Sequence, residues 1–319
     1  MLPTSHAPPN NPSTPPSPSK IRTYVHTPTE AKVVLPFELS PSNSNYSLFN
    51  TNGEILLGDA PPSRTRRPWF TYVVSAIQVV TLFIPLCTCQ IAPIMINPML
   101  GPYPTILDDW GAKNTWKMVV LSQWSRLYTP IFLHSGILHL AGNLMIQLDA
   151  CQRYEREWGL PIYAGIYLGS GIGGCLFSAL VKPGKLGVGG SGAIMGVLGA
   201  RIGEGLVKYY DVGGGIDDLE TNIVSLAFVL LMSFVPFVDW PAHVGGAVVG
   251  FVMGSIRFAN STLFGRYGCK AFSTVAGIFL FLAVDFMFGA LFFVDLGPYE
   301  YLADTCQYLK DAFENTGQR

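Results

Sequence analysis

Charge is what this sequence has least of: 13% of its 319 residues are charged, and the mean hydropathy is positive at +0.35. A water-soluble chain of this length needs a charged surface over one or two domains, so a globular class is excluded and a membrane class is implied. A net charge of −1 leaves neither sign in excess, which argues against a nucleic-acid partner or an acidic substrate. The six cysteines lack metal-ligand spacing, and the one close pair, Cys87 and Cys89, ends an apolar run rather than sitting in a ribbon or finger. They read as small, mostly buried apolar residues. The basic, apolar and small-residue order of a cleaved signal is also missing, so the first long apolar run, from Trp69, is expected to remain as a signal anchor.

What is present falls into three stretches. Residues 1–68 are rich in Pro, Ser, Asn and Thr, bury too little apolar surface to offset chain entropy, and are predicted to be a disordered N-terminal region. Residues 69–294 hold seven segments that reach or approach the roughly 20 apolar residues needed to cross about 30 Å of hydrocarbon. They are 69–90, 129–151, 160–181, 187–208, 222–239, 241–258 and 271–294. The fold class predicted is therefore all-α, a polytopic transmembrane helical bundle. Residues 295–319 form a polar and apolar tail compatible with a short amphipathic helix.

The stretch 91–128 is not a span, because it carries Asp108, Asp109, Lys113 and Lys117 and is broken by Pro93, Pro98, Pro102 and Pro104. With Trp110, Trp116 and Trp124 it suits a large loop in the membrane interface. Lys32, Arg64, Arg66, Arg67, Arg153, Arg156, Lys208, Arg257, Arg266 and Lys270 fall on one side if the helices alternate, which places the N-terminus in the cytoplasm and the C-terminus opposite. Lys113, Lys117, Arg126, Lys182 and Lys185 fall on the outer side and oppose this bias. The sequons at Asn45 and Asn260 lie on the cytoplasmic side and are predicted to stay unglycosylated.

Polar groups in hydrocarbon are costly, so those the spans retain draw attention. The second keeps His134, His139 and Asn143, the fourth Ser191 and the sixth His243. These helices all run from the outer face inward, so the groups can share one depth. His139 and Asn143, four apart, share a helical face. Ser191 sits in Gly189-Gly190-Ser191-Gly192, where glycine permits a tight turn and a helix start offers unpaired N–H groups to an oxyanion. Glycines at 192, 196, 199 and 203 and at 246, 250 and 254 allow the fourth and sixth helices to approach closely, bringing Ser191 toward His243. A hydroxyl, an imidazole and two further hydrogen-bond donors are the parts of an acyl-transfer site. Taken singly, each has a bland alternative: a Ser-Gly pair is a common packing element, and a lone histidine can be a structural hydrogen bonder or part of a proton relay.

Together these residues resemble the rhomboid intramembrane serine proteases over about 69–294. The marks are Arg126-Leu127-Tyr128-Thr129, the spacing from His134 through His139 to Asn143, Gly189-Gly190-Ser191-Gly192, and Ala242-His243-Val244-Gly245-Gly246. The resemblance implies a six-helix core with a seventh helix at the C-terminus, as in eukaryotic secretory-pathway members of the endoplasmic reticulum, Golgi or plasma membrane. It implies a Ser191–His243 dyad, an oxyanion hole from His139, Asn143 and backbone N–H groups beside Gly189 and Gly190, and a supporting His134. Single-pass transmembrane substrates within the lipid bilayer follow as partners, with no metal and no small-molecule cofactor. Two positions depart from the family pattern: Ser125 separates Trp124 from Arg126, and Met195 stands where an aromatic ring often packs against the histidine. The anchoring of the loop and the orientation of His243 are open at this point.

Two other classes remain. A catalytically inactive protein could bind membrane clients and pass them to degradation. A transporter could use the histidines as a proton path, although Arg201 and Asp285 are the only further charged candidates and no inverted repeat is evident.

Overall fold

The computed structural model describes residues 47–49, 55–57, 66–89, 91–212, 217–233, 238–259 and 267–296. The chain divides into two units, Met1–Pro61 and Pro62–Arg319. In the first, strands β1 (Ser47–Phe49) and β2 (Ile55–Leu57) pair antiparallel with Leu48 opposite Leu56. The rest of the region expected to be disordered, and the tail helix expected after Leu296, lie outside the described residues apart from 66–68.

The second unit is helical. Helix α1 (Trp69–Cys89) is apolar along most of its length and retains Pro85. Its first N–H groups have no partner within the helix. Glu155 supplies one from another helix, accepting from the N–H groups of Phe70 and Thr71 (2.9 and 2.8 Å) and from the Thr71 hydroxyl (2.7 Å).

The interfacial loop contains two short helices, α2 (Pro104–Asp109) and α3 (Thr115–Val120), the second capped by the Asn114 side chain. Arg126, 5% exposed, ties the loop together. Its guanidinium reaches the Asp108 carboxylate (3.0 Å) and the carbonyls of Asp108 (2.8 Å) and Ala112 (2.7 Å), and its Nε donates to Gln123 (2.7 Å). The intervening Ser125 therefore does not loosen the anchor. Trp124 instead meets Phe288 and Phe292, with ring centroids 5.0 and 5.9 Å away.

Short 3-10 turns at Trp124–Leu127 and Thr129–Phe132 precede α4 (Ile137–Ile146), which continues through a π turn (Gln147–Cys151) into α5 (Gln152–Trp158). The second segment thus becomes α-helical at Ile137 rather than at 129, because Pro130 and Gly136 interrupt it, and His134 lies in the irregular stretch between the 3-10 turn and the α-helix. Helices α6 (Leu160–Val181), α7 (Ser191–Val212), α8 (Asp217–Met232), α9 (Trp240–Ala259) and α10 (Tyr267–Ala290) complete the unit.

Among the described residues, four helical segments are long and apolar enough to cross a bilayer: Trp69–Thr88, Leu160–Val181, Trp240–Ala259 and Ser273–Phe293. Helix α7 misses that composition because its C-terminal half carries Arg201, Glu204, Lys208 and Asp211. The first three are paired. Arg201 reaches Glu157 (2.8 Å) and Glu204 (2.7 Å), and Lys208 reaches Glu204 (2.7 Å). Arg201 is thus held in an ion-pair cluster midway along α7, about three turns beyond Ser191.

Helices α7 and α9 pack backbone to backbone. A Cβ on Gly246, Gly250 or Gly254 would run into the backbone of Gly192, Gly196 or Ala200. This registers the N-terminus of α7 against the first turn of α9.

Candidate active site

The turn leading into α7 is pinned from two sides. Lys113 and Gly187 exchange backbone hydrogen bonds (2.8 and 3.2 Å), and the Gly189 N–H donates to the Pro130 carbonyl (2.9 Å). Gly189 has φ +130°, a conformation that suits glycine. A Cβ there would also lie 3.0 Å from His139 Nε2 and 3.3 Å from Ser191 Oγ. Glycine therefore keeps open the space those two atoms share. At Gly190 a Cβ would meet Gln78 Nε2 (2.6 Å) and the Tyr167 hydroxyl (2.9 Å). These belong to a buried cluster in which Tyr167 donates to Gln147 (2.7 Å) and Gln147 donates to Gln78 (3.0 Å) and Ser75 (2.7 Å).

Ser191 is the first residue of α7 and His243 the fourth of α9, so the glycine seam brings them together with Ser191 Oγ 2.6 Å from His243 Nε2. The other ring nitrogen, Nδ1, lies 2.5 Å from Ser233 Oγ, just beyond the end of α8. His243 is therefore oriented by hydrogen bonds at both nitrogens, which accounts for its placement with Met195 instead of an aromatic residue one turn beyond Ser191.

His139 rises from α4, its Nδ1 2.9 Å from Ser135 Oγ. Asn143, one turn further on, is 6% exposed, and its amide nitrogen has no protein hydrogen-bond partner. His134, 1% exposed, has none at either nitrogen and sets its ring edge-on to His139 at 5.2 Å. Ser191, His139 and His243 open onto a cavity of about 800 Å³, which Asp239, Lys182 and Lys185 also line.

Beside it lies a buried polar chain that sequence reasoning missed. Lys113, 1% exposed, donates to the Ser178 hydroxyl (3.1 Å) and the Lys182 carbonyl (2.9 Å). The Ser178 hydroxyl faces both carboxylate oxygens of Asp239 (2.8 and 2.7 Å). Burial pulls the Lys113 ammonium below the ordinary lysine range, while the Asp239 carboxylate pulls the other way. Ser178 lies in an apolar run and Lys113 in a loop 65 residues away, so no local spacing could have paired them. Ser233 was harder still, since serine is common at helix ends. Among the described residues, no three His, Cys, Asp or Glu side chains converge as metal ligands.

A polytopic helical membrane bundle with a serine at one helix start and an imidazole on its glycine-packed neighbour defines a class of integral membrane protein. Residues 121–260 match the model of the rhomboid domain. It is 33% identical over 203 residues to RHOMBOID-like protein 6, mitochondrial, of Arabidopsis thaliana, covering 60% of this chain and 66% of that protein. RHOMBOID-like protein 1 of the same plant is 32% identical, over 59% of this chain and 54% of that protein. Rhomboid protease GluP of Bacillus subtilis is 31% identical, over 70% and 41%. The chain thus spans between about two fifths and two thirds of the length of these curated relatives.

Proposed function

We propose that this protein is a serine endopeptidase that cleaves single-pass transmembrane proteins within or beside the bilayer. The observation that carries the reading is the 2.6 Å approach of Ser191 Oγ to His243 Nε2 at the floor of a cavity inside a membrane fold. A serine hydroxyl becomes an effective nucleophile when an adjacent imidazole takes its proton. Ser191 Oγ attacks the scissile carbonyl, the proton passes to His243, and His243 returns it to the leaving amine. Water then hydrolyses the acyl-enzyme by the same steps.

The tetrahedral oxyanion falls into the space that Gly189 keeps open. There it meets His139 Nε2–H and the amide of Asn143, whose lack of a resting partner fits a donor reserved for the reaction. For His139 Nε2 to carry a proton, Nδ1 accepts one hydrogen bond, and the Ser135 hydroxyl is placed to donate it. His134 braces His139. The relatives named as proteases support the same chemistry. A seven-span topology, a cytoplasmic N-terminus and a secretory-pathway compartment belong to the same proposal.

Replacement Ser191→Ala is expected to reduce cleavage of a co-expressed single-pass substrate by roughly 10⁴-fold or more, with the protein still accumulating in membranes. Comparing membrane proteomes of wild-type and Ser191→Ala cells for shed ectodomains measures it. Equal shedding, together with failure of a fluorophosphonate probe to label Ser191, would leave the protein a binder of membrane clients.

A further inference from the structure

Ser233 contributes a group that the serine–imidazole pair alone does not contain. Its hydroxyl carries one proton, and the Val229 carbonyl, one turn earlier in α8 and 2.7 Å away, can only accept, so both contacts of Ser233 Oγ are hydrogen bonds only when that proton goes to Val229. Toward His243 Nδ1, at 2.5 Å, the Ser233 oxygen can then only accept. The proton on that line must therefore belong to Nδ1. A neutral imidazole has a single N–H, so Nε2 is left with its lone pair facing Ser191 Oγ.

On this geometry, and resting on the reading of Ser191 and His243 given above, we infer that Ser233 is a positioning residue that fixes His243 in the tautomer able to take the proton of Ser191. The chain of donors runs in one direction: Ser191 Oγ–H to His243 Nε2, His243 Nδ1–H to Ser233 Oγ, Ser233 Oγ–H to the Val229 carbonyl. When Nε2 receives the proton, the Nδ1–H bond to Ser233 strengthens, because an ionised donor makes the stronger hydrogen bond. A neutral acceptor suits the place. Ser233 is 2% exposed and His243 6%, and a hydroxyl orients the ring without adding a buried charge that would need its own partner.

The other polar groups around the ring leave this task to Ser233. Ser191 of α7 holds Nε2. Asp239, ahead of α9, has its carboxylate on the Ser178 hydroxyl and meets His243 through its backbone carbonyl, which accepts from the His243 N–H at 3.3 Å. His139 of α4 has Ser135 at its Nδ1, and Lys182 and Lys185 line the cavity from the loop after α6. A consequence is that α8, which carries neither member of the dyad, sets the base.

The test uses the full-length protein in proteoliposomes with histidine labelled in both ring nitrogens by ¹⁵N, the His243 signals being assigned by their loss in His243→Gln. Wild type, Ser191→Ala and Ser233→Thr are expected to show a protonated Nδ1 and an unprotonated Nε2 at His243. Ser233→Ala is expected to lose that preference. A fluorophosphonate probe supplies the rate: Ser191 Oγ attacks phosphorus, fluoride leaves, and the proton goes to His243. Labelling is expected to fall by roughly tenfold or more in Ser233→Ala and to recover in Ser233→Thr. An unchanged tautomer and labelling rate in Ser233→Ala overturn the inference alone, as does a Ser233→Thr variant no better than Ser233→Ala. A wild-type protein that neither takes the probe nor cleaves overturns the Ser191–His243 reading and this inference with it.

Discussion

Helices α9 and α10 follow each other in sequence and are both apolar enough to cross a bilayer, yet 50% of the apolar window of α9 is buried against 6% in α10. Hydrophobicity does not separate them. Water drives apolar residues together, but in lipid a phenylalanine is equally solvated by acyl chains, so packing between helices rests on close fit. Helix α9 fits through glycine: Gly246, Gly250 and Gly254 meet the backbone of α7 directly. Helix α10 presents Phe279, Phe281 and Phe286, all more than 65% exposed, and is tied to the interfacial loop where Phe288 meets Trp124. The serine and the imidazole sit on the glycine seam, where an error of an ångström would separate them.

The largest effect that sharpens this contrast is expected at Gly250. Its Cβ would collide with the carbonyl, carbonyl carbon and Cα of Gly196, all backbone atoms that cannot rotate away. Gly250→Leu should force α7 and α9 apart, lowering stability by about 3 kcal/mol or more and removing cleavage, as overpacking of a rigid site does. Thermal unfolding in detergent micelles, read beside the labelling of Ser191, measures both. A variant with native melting and native labelling would mean that the seam does not position the site.

The same contrast explains what could be read from the sequence. Glycine at four-residue spacing is a local pattern, so the α7–α9 approach was legible, and with it the meeting of Ser191 and His243. Long apolar runs located the helices, but not where α4 begins, because Pro130 and Gly136 interrupt a stretch whose composition stays apolar. Lys113, Ser178 and Asp239, and likewise Glu155 at the start of α1, are joined across 61 to 85 residues by side chains that are unremarkable where they stand in sequence. Such pairings depend on the tertiary fold and leave no local trace. Asn143 was legible for a different reason: a polar side chain in an apolar helix is costly and needs a cause.

Asp285 tests the lipid-facing side of the comparison. It is exposed on α10, between Val284 and Phe286, near the middle of the segment Ser273–Phe293. A carboxylate at the centre of a spanning helix is unfavourable by roughly 3 kcal/mol relative to leucine in insertion experiments. Asp285→Leu is therefore expected to improve membrane insertion of α10 by about that amount while leaving Ser191 labelling unchanged, since the site lies on another seam. Insertion efficiency of the α10 segment in a glycosylation-mapping assay gives the first quantity. A fall in Ser191 labelling would show that α10 bears on the site.

The smallest effect separates two identical substitutions. At Gly254 in α9 an added Cβ would strike the backbone of Ala200, whereas at Gly289 in α10 nothing lies within 4 Å. Alanine is favoured over glycine within a helix by up to about 1 kcal/mol, because glycine loses more backbone freedom on folding. Gly289→Ala is therefore expected to raise the melting temperature slightly, and Gly254→Ala to lower it, although the chemical change is the same methyl group. The sign is informative in either direction. Destabilisation by Gly289→Ala would mean that another helix rests against that face of α10 in the membrane, making α10 a packing helix like α9 rather than a lipid-facing one.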